Sequence, residues 1–414
     1  MWAELSPIGR SAETGGYFRQ PYTAADHELR HWFVAQAESR DLAVELDVLG
    51  NVLAWWVPVA DGVSQVVEPS EPAGRSGLSR QAGVLTGSHL DSVLDGGAYD
   101  GPLGVVSALA ALTQQVERGF VPARPVGVGV FAEEEGSRFG LACLGSRLAV
   151  GALEWSVARE LRDRDGVWLP DALEAAGLGD GSGTPDLASR VACFVELHVE
   201  QGRDLVDRGA PIGVASEIWP HGRYRFAFSG EANHAGTTRM EDRHDPMLTY
   251  AMTALAANKQ ARLAGQRATF GRVEVEPNGT NAVPSRVTAW LDARCSSDTA
   301  LADLVGVIER QAADRADRDG TSLTVTRESV SGSVVFDTSL ATRLADGREG
   351  GDRPVIPTQA GHDAGILSAA GIPSAMLFVR NPTGVSHAPA EHAELSDCLV
   401  GVTALADTLQ RLAG

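Results

Sequence analysis

The sequence has few cysteines and no long apolar run, and both shortages exclude classes of protein. Its four cysteines, among 414 residues, lie far apart and include no closely spaced pair, which excludes a disulfide framework and a zinc knuckle. No apolar run is long enough to cross a bilayer. The first residues lack the basic and apolar regions of a signal peptide. We therefore expect a cytoplasmic protein with reduced cysteines.

Positive charge is also scarce, and it is scattered along the chain. The sequence has 35 Lys and Arg against 54 Asp and Glu, which gives a formal net charge of -19. Nucleic acids and anionic membranes attract clustered basic residues, so the sequence predicts neither as a partner. A chain of this length can form two domains with a sizeable core.

Short clusters of acidic residues and histidine are what the sequence does contain. The first cluster follows the apolar residues 82–85 and includes His89, Asp91, Asp95 and Asp100. The others are FAEEEGSRF (131–139), ELHVEQG (196–202) and GVSHAPAE (384–391). Imidazole and carboxylate are the ligands of ions such as Zn²⁺ or Mn²⁺. Four clusters spread over about 300 residues therefore predict a dinuclear metal site assembled from loops.

Each cluster also has a simpler explanation. A single histidine in a loop is commonly a hydrogen-bonded surface residue, and a run of glutamates is commonly a solvated surface. Here, however, Glu133–Glu135 directly follow an apolar strand, where an acidic run would be costly without a counter-ion. The joint pattern therefore favours the metal site.

The order of predicted elements divides the chain into two domains. We predict helices at 23–40, 104–118, 244–264, 298–318, 361–370 and 396–412, and strands at 43–56 (broken at 50–51), 82–85, 126–131, 191–197, 223–230, 268–276, 284–294, 321–329 and 374–379. A surface loop is predicted over about 58–82. Ligand clusters at strand ends are typical of open α/β sheets, and the β-α-β-β-α-β order between 223 and 329 is typical of a small two-layer domain. We predict a catalytic domain of residues 1–213 and 330–414 and an inserted domain of residues 214–329.

Seven motifs together make the chain resemble a family of dinuclear-zinc amidohydrolases. They are GSHLDSV with DGGAYDG, FAEEEGSRFG, ELHVEQG, HAGTT, PNGTNAVPSRV with DAR, AGHDA and GVSHAPAE, in this order over nearly the whole chain. The family comprises N-carbamoyl-L-amino-acid hydrolases, allantoate amidohydrolases and β-ureidopropionases, which are relatives of aminoacylase and carboxypeptidase G. The resemblance implies a zinc-exopeptidase-like α/β domain with a mixed central sheet flanked by helices. It also implies an inserted ferredoxin-like α+β domain that serves as a lid and a dimerisation domain.

The resemblance also implies the metal ligands. His89 and His198 would hold one ion, Glu135 and His387 would hold the other, and Asp100 would bridge the two. The expected cofactor is two divalent metal ions per subunit, with Zn²⁺ as the first choice and Mn²⁺, Co²⁺ or Ni²⁺ as alternatives.

By the same resemblance, two further acids act in catalysis. Asp91 would orient the His89 imidazole or its neighbourhood, and Glu134 would be the general base that takes a proton from the attacking water. Glu133 would support them. Because three glutamates follow one another, the division into base and ligand within Glu133–Glu135 stays open by one residue.

Substrate-binding residues are implied as well. Arg294 would bind the substrate carboxylate through its two-pronged guanidinium, and Asn281 would hydrogen-bond the same end. Gln201 and the backbone at Gly361 would line the pocket. His234 would come from the partner subunit of a homodimer and polarise the scissile carbonyl.

The chain departs from the family pattern at two places. Arg239 stands where HAGTT is normally followed by proline, and Arg380 stands where relatives have proline before the last histidine. Arg380 is either a salt-bridging residue or the binding partner of a second substrate carboxylate. For His362 we favour a supporting role over metal ligation.

We expect a metal-dependent hydrolase that cleaves the carbamoyl or ureido C–N bond of small carboxylates, either N-carbamoyl-L-amino acids or allantoate. The products would be ammonia and CO₂ or a ureido compound. The alternative is an aminoacylase or an N-formyl or formimino amino-acid amidohydrolase, although HVEQG and HAGTT favour the first reaction. A metal-binding scaffold without activity is disfavoured because the base and all five ligands are present together.

Overall fold

The computed structural model describes residues 1–58, 81–179, 181, 186–347 and 351–414. They form two compact units, the first of Met1–Ser216 with Val335–Gly414 and the second of Glu217–Val334. The loop predicted over 58–82 lies almost wholly outside the described residues. Among the described residues, no helix has both the length and the apolar character needed to cross a bilayer.

Helices and strands alternate along most of the described chain. The strands are β1 (Ala43–Leu46), β2 (Val52–Trp56), β3 (Gly83–His89), β4 (Val126–Phe131), β5 (Val191–Val199), β6 (Ile212–Ile218), β7 (His221–Ser229), β8 (Asn233–His234), β9 (Arg267–Glu276), β10 (Ala282–Val283), β11 (Arg286–Arg294), β12 (Ser322–Ser331), β13 (Val334–Val335), β14 (Val355–Thr358) and β15 (Ser374–Val379). The helices are α1 (Trp2–Leu5), α2 (Ala24–Glu38), α3 (Pro102–Glu117), α4 (Leu144–Ala149), α5 (Trp155–Ala158), α6 (Leu169–Ala175), α7 (Asp204–Arg208), α8 (Pro246–Ala264), α9 (Asp298–Asp319), α10 (Thr338–Ala345), α11 (Asp363–Ala369) and α12 (Leu395–Ala413).

A mixed sheet forms the centre of the first unit. Its strand order is β1-β2-β4-β3-β5-β15-β6-β13, and β14 pairs with β6. The middle strands β4, β3, β5 and β15 are parallel, while β1, β2 and β6 join antiparallel. Every residue of β3, β4 and β15 is buried, as expected for parallel strands that are covered on both faces. The predicted α/β class with a mixed central sheet is confirmed.

Strand β3 is longer than the apolar run that predicted it. The sequence indicated 82–85, but the strand continues to His89. Two polar side chains in the extension are buried and satisfied, because Thr86 Oγ1 donates to the Val195 carbonyl at 2.7 Å and Ser88 Oγ donates to Glu196 Oε1 at 2.8 Å. Cross-strand hydrogen bonds therefore allow polar residues in a buried strand, and His89 is the last residue of the strand.

The second unit contains a four-stranded antiparallel sheet in the order β12-β7-β11-β9. With α8 and α9, the chain order is the predicted β-α-β-β-α-β. Its core includes Phe226, Phe228, Leu291 and Ile308. Both helices have sequence-encoded ends, since Asp245 and Ser297 cap the N-termini and Gly265 and Gly320 adopt left-handed conformations at the C-termini.

Candidate metal centre

Two buried histidines and an aspartate form the first half of the candidate centre. His89 ends β3 and His198 lies near the end of β5, so two adjacent parallel strands bring both imidazoles to one edge of the sheet. The Nε2 atoms of His89 and His198 lie 3.5 Å and 3.2 Å from Asp100 Oδ1. All three side chains are buried, and their ligand atoms are close enough to share one ion. We call His89, His198 and Asp100 the buried half-site.

The second half uses the other oxygen of Asp100. His387 Nε2 lies 3.5 Å from Asp100 Oδ2 and 3.4 Å from Glu135 Oε2. The His387 side chain is 50% exposed, whereas those of Asp100 and Glu135 are 5% and 6% exposed. We call Asp100, Glu135 and His387 the open half-site. The two half-sites therefore share a carboxylate with one oxygen facing each, which is the arrangement of a bridging ligand.

The donor atoms fit divalent cations. His89 Nδ1 lies 3.1 Å from the Asp91 carbonyl oxygen and His198 Nδ1 lies 2.9 Å from the Val199 carbonyl oxygen, so in its neutral form each ring carries its proton on Nδ1. The two Nε2 lone pairs are then available to a metal, and neither buried Nε2 atom has a hydrogen-bond partner within the described chain. Backbone carbonyls that fix the tautomer in this way are typical of metal-binding histidines.

The charges around the buried half-site also favour the binding of cations. Burial on its own lowers the pKa of His89, but the carboxylates of Glu134, Asp100 and Asp91 raise it well above its ordinary value. Burial on its own raises the pKa of Asp100, but the adjacent imidazoles of His198 and His89 hold it well below its ordinary value. The buried carboxylates outnumber the imidazoles, and divalent ions would balance that excess.

Asp91 connects the first histidine to the glutamate run. Its Oδ1 lies 3.5 Å from His89 Nδ1, and its two oxygens accept hydrogen bonds from the backbone N–H groups of Glu134 and Glu135 at 3.3 Å and 3.1 Å. One side chain therefore orients the imidazole ring and the backbone that carries the two glutamates. This geometry supports the orienting role expected of Asp91.

The three glutamates point in different directions. Glu134 Oε2 lies 3.6 Å from His89 Nε2, and Glu135 lies in the open half-site. Glu133 Oε1 instead accepts hydrogen bonds from the backbone N–H groups of Arg138 and Phe139 at 3.0 Å and 2.6 Å. Burial raises the pKa of Glu134 well above its ordinary value, and the charge of His89 offsets part of that effect. The contacts support Glu134 as base, Glu135 as ligand and Glu133 as a structural support.

Gln201 lies inside the open half-site. Its Nε2 donates to Asp100 Oδ2 at 2.7 Å and lies 3.4 Å from His387 Nε2. Gly361 belongs to the loop between β14 and α11, and among the described residues other than its chain neighbours no atom lies within 4 Å of a Cβ added there. The backbone at Gly361 therefore faces open space, as a pocket-lining residue requires.

His362 lies beside the buried half-site. Its ring centroid is 4.6 Å from that of His198, and the residue is buried at the N-terminus of α11. With His198 and Glu196 it forms a third group of nearby ligand atoms. Glu196, however, already accepts hydrogen bonds from Ser88 Oγ and the Ala364 backbone N–H. This favours a supporting role for Glu196 and His362. Asp95, from the first cluster, accepts a hydrogen bond from Thr14 and is in neither half-site.

In the second unit, His234 and Asn281 lie next to each other. His234 of β8 pairs with Ala282 of β10, and the Asn281 carbonyl accepts from the Ala235 backbone N–H at 2.9 Å. His234 Nδ1 accepts hydrogen bonds from the backbone N–H groups of Gly236 and Thr237 at 2.9 Å and 3.2 Å. The ring proton is therefore on Nε2, and the exposed imidazole can donate a hydrogen bond from that atom.

Within the second unit, Arg294 lies far from His234 and Asn281. Arg294 ends β11, whereas Arg286, eight residues earlier, begins the strand near β10. At about 3.4 Å per residue the two ends are about 27 Å apart. Within one chain, Asn281 and Arg294 therefore cannot contact the same small carboxylate, and the expectation that both bind one end of the substrate stays a prediction. The length of β11, predicted from the sequence as a strand over 284–294, sets this separation.

The neighbours of Arg294 explain how it is held. Its Nε and Nη2 donate to the two carboxylate oxygens of Asp292 at 2.8 Å and 3.2 Å. This charge-assisted pair holds the guanidinium plane in a fixed orientation. The charge of Arg294, together with Arg223, also lowers the pKa of Asp292, against the raising effect of burial.

The two departures from the family pattern have ordinary partners. Arg380 donates from Nε to Asp397 Oδ2 at 2.8 Å, so it forms the salt bridge that was one of its two expected roles. Arg239 is exposed and donates from Nε to Asp242 Oδ2 at 2.7 Å. Neither contact could be inferred from the motifs themselves.

Comparisons with known proteins find a matching family and related enzymes. A model described as peptidase family M20/M25/M40 matches residues 85–411. The chain is 33% identical over 421 residues to an N-carbamoyl-L-amino acid amidohydrolase of Geobacillus stearothermophilus, with 100% of this chain and 98% of the relative covered. It is 31% identical over 420 residues to an allantoate amidohydrolase of Bacillus subtilis (strain 168), with 99% and 95% covered.

A solved structure shares the fold. An amidase of the hydantoinase/carbamoylase family from Burkholderia multivorans superposes with a TM-score of 0.83 at 28% identity, and the match covers 100% of this chain and 96% of that one. The mixed α/β fold is therefore common to this chain and to enzymes of that group.

Proposed function

The chain belongs to peptidase family M20/M25/M40, and we propose that within this family it is an amidohydrolase that cleaves the carbamoyl or ureido C–N bond of small carboxylates. Its substrates would be N-carbamoyl-L-amino acids or allantoate. The observation that carries the proposal is Asp100, whose two oxygens face two separate sets of metal-binding side chains. The names of the relatives support the bond type.

The metal centre would hold two divalent ions, with zinc expected first. His89 and His198 would bind one, Glu135 and His387 the other, and Asp100 both. When bound, such ions polarise a carbonyl and lower the pKa of a shared water. Carbamoyl and ureido carbonyls are poor electrophiles, so both effects are needed.

Glu134 would act as the general base and then as the general acid. It would take a proton from the attacking water and deliver it to the leaving nitrogen. Its burial favours proton uptake, because burial disfavours the charged carboxylate, and the charge of His89 offsets only part of this effect. Asp91 would keep Glu134 in place through the backbone hydrogen bond to its N–H group.

The second unit would supply substrate-binding groups. Arg294, held by Asp292, would bind the substrate carboxylate. His234 would donate its Nε2 proton to the scissile carbonyl, because its Nδ1 is already occupied as an acceptor. Asn281 would act alongside His234, and Gln201 and Gly361 of the first unit would line the pocket.

The substrate class can be tested with a panel assay. The protein would be loaded with Zn²⁺ or Mn²⁺ and offered allantoate, N-carbamoyl-L-amino acids, N-formyl amino acids and N-acetyl amino acids. We expect turnover, with release of ammonia, for at least one of the first two classes. Turnover confined to N-formyl or N-acetyl substrates would assign the chain to the alternative, an aminoacylase or formyl-type amidohydrolase.

We also propose a homodimer in which His234 and Asn281 serve the partner's active site. Their distance from Arg294 within one chain supports this, since one small substrate could contact all three only across two chains. The second unit also exposes apolar side chains along α8, among them Leu248, Met252 and Leu255, and it has an edge strand in β9. Exposed apolar patches and free sheet edges are common at subunit interfaces.

Mixing two inactive variants tests whether His234 and Asn281 act in the partner's active site, which we call the exchange. His234→Ala mixed with Glu134→Gln should regain about a quarter of wild-type activity, because half of randomly paired dimers are mixed and each has one intact site. Asn281→Ala mixed with Glu134→Gln should recover similarly. The matched control is His234→Ala mixed with Asn281→Ala, which should not recover, because neither site is intact. Recovery in the control, or none in proven mixed dimers of the test pairs, would refute the exchange.

A further inference from the structure

A buried glutamate outside both half-sites holds the loops that carry two of the ligands. Glu391 is 4% exposed, and its Oε1 accepts hydrogen bonds from the backbone N–H groups of Tyr99 and Asp100 at 3.0 Å and 2.9 Å. Its Oε2 lies 3.3 Å from Ser386 Oγ, and the same hydroxyl lies 3.2 Å from Asp100 Oδ2. One carboxylate thus joins the backbone of the bridging aspartate to the residue before His387.

The ligands of the open half-site depend on such hydrogen bonds for their position more than those of the buried half-site do. His89 and His198 are placed by paired strands, but His387 lies in a loop and is half-exposed. Its φ of +56° is unfavourable for a residue with a side chain. Such a backbone conformation persists only where the surrounding structure fixes it, and Glu391 with Ser386 provides a fixed point next to it.

The opposite wall of the Glu391 pocket is shaped for this side chain. A Cβ added at Gly97 would lie 2.6 Å from the Glu391 Cβ and still closer to its carboxyl group. Gly97 does not have the positive φ that would itself demand glycine. The glycine is therefore required by the space that Glu391 occupies, which links the two residues independently of the hydrogen bonds.

We propose that Glu391 is a positioning residue of the open half-site, which fixes Asp100 and His387 relative to each other so that the second ion can bind. The inference rests on the two-metal centre proposed above. It concerns the hydrogen bonds and not the charge of Glu391. Glutamine can keep them, since its amide oxygen can accept from the two backbone N–H groups and its amide nitrogen can donate to Ser386 Oγ.

Metal titration of the metal-free protein tests the proposal without relying on activity. Zn²⁺ would be added in competition with a chromophoric chelator, and Co²⁺ absorption would report the coordination of each ion. We expect Glu391→Ala to bind the first ion as the wild type does and the second about 10–100-fold more weakly, the usual cost of losing a group that orients metal ligands. Glu391→Gln should bind both ions nearly as the wild type does.

Three further variants keep the test decisive if Glu391→Ala folds poorly. Gly97→Ala should displace the Glu391 side chain and weaken the second ion in the same way, while Gly271→Ala, where a Cβ would meet no described atom within 4 Å, should not. Asp47 also accepts two backbone N–H bonds, from Leu49 and Asn51 at 2.9 Å each, but in the turn between β1 and β2. Asp47→Ala should lower stability and leave the affinities for both ions unchanged.

The possible failures are distinguishable. If the wild type binds two ions and Glu391→Ala and Gly97→Ala bind both with unchanged affinity, or lose both equally, the role of Glu391 is refuted and the centre stands. The role of Glu391 is also refuted if Glu391→Gln binds the second ion as weakly as Glu391→Ala does. The loss of hydrogen bonds would then not explain the weaker binding. If the wild type itself binds fewer than two ions, the proposed centre is wrong and this inference fails with it.

Discussion

The candidate metal-binding histidines of the buried half-site and the polar side chains His234 and Asn281 of the second unit are held in different ways. His89 and His198 are at most 1% exposed and lie at the ends of paired strands. His234 and Asn281 are exposed and are held by local backbone hydrogen bonds. The first set is fixed by the core of its domain, whereas the second is fixed by short turns at the surface.

This difference predicts a division of labour. Buried ligands and acids have no water to replace a missing partner, so their loss should be felt in metal binding and in the chemical step. Exposed groups on the second unit keep their hydration when no substrate is bound, and their loss should be felt in substrate affinity. Variants of the first set should therefore change metal content or kcat, and variants of the second set should change KM.

The largest effect is expected at Glu134. Glu134→Gln keeps the size of the side chain but cannot carry a proton from water to the leaving nitrogen, so kcat should fall about 10²–10⁴-fold. Metal content should stay at the wild-type level, because Glu134 is not among the proposed ligands. Steady-state kinetics combined with metal analysis of the same preparation would measure both.

Glu135→Gln is the matched comparison for this prediction. It changes the adjacent residue in the same way but removes a ligand of the open half-site, so it should lower the metal content as well as kcat. If Glu134→Gln loses metal and Glu135→Gln does not, the roles of the two glutamates are exchanged.

Much of the fold was predictable because the long elements have clear patterns. The apolar strands β4 and β15 were predicted with their observed ends, and α8 and α9 within two residues. The short helices α4 to α7 were not predicted, because four to seven residues carry no helical periodicity. Strand β3 was predicted too short, since hydrogen bonds from Thr86 and Ser88 replace apolar character there.

For the candidate site, the motifs indicated which residues take part but gave little information about the distances between them. The five expected ligands do lie together, because strand ends of one sheet bring them to one edge. The separation of Arg294 from Asn281 follows from the length of β11, a strand that the sequence predicted over 284–294. Glu391 was within a quoted motif, but its contact with Asp100 joins residues 291 positions apart, which no local pattern indicates.

A smaller effect is expected at Arg294. A hydrogen bond to a charged group contributes about 1.5–3 kcal/mol, so Arg294→Ala should raise KM for a carboxylate substrate by about 10–150-fold. Metal content should not change, and kcat should change less than KM. Kinetics over a range of substrate concentrations would separate the two parameters.

Two variants sharpen the prediction for Arg294. Arg294→Lys keeps the charge but not the two-pronged geometry, so it should restore affinity only in part. Asp292→Asn weakens the contact that orients the guanidinium and should raise KM by less than Arg294→Ala does. Loss of metal from any of these variants would contradict the division between the two sets of residues.

The smallest effect on turnover is expected at Glu133, which is buried like the metal ligands but points away from them. Glu133→Gln keeps an oxygen that can accept from the Arg138 and Phe139 backbone N–H groups. We therefore expect kcat and metal content close to those of the wild type. A metal-replete but inactive Glu133→Gln variant would instead make Glu133 the base.

The stability of the same variant should depend on pH in a defined direction. Burial, with a contribution from the charge of Asp91, raises the pKa of Glu133 from its ordinary 4.5 to about 8. The folded protein therefore holds this proton at pH values where the unfolded chain has released it. The contribution of Glu133 to stability is fully present below about pH 4.5 and is lost as the pH rises to about 8.

Glutamine cannot ionise, so the melting temperature of Glu133→Gln minus that of the wild type, both metal-free, should increase from pH 5 to pH 8. A difference that stays constant over this range would show that Glu133 does not change its ionisation on folding.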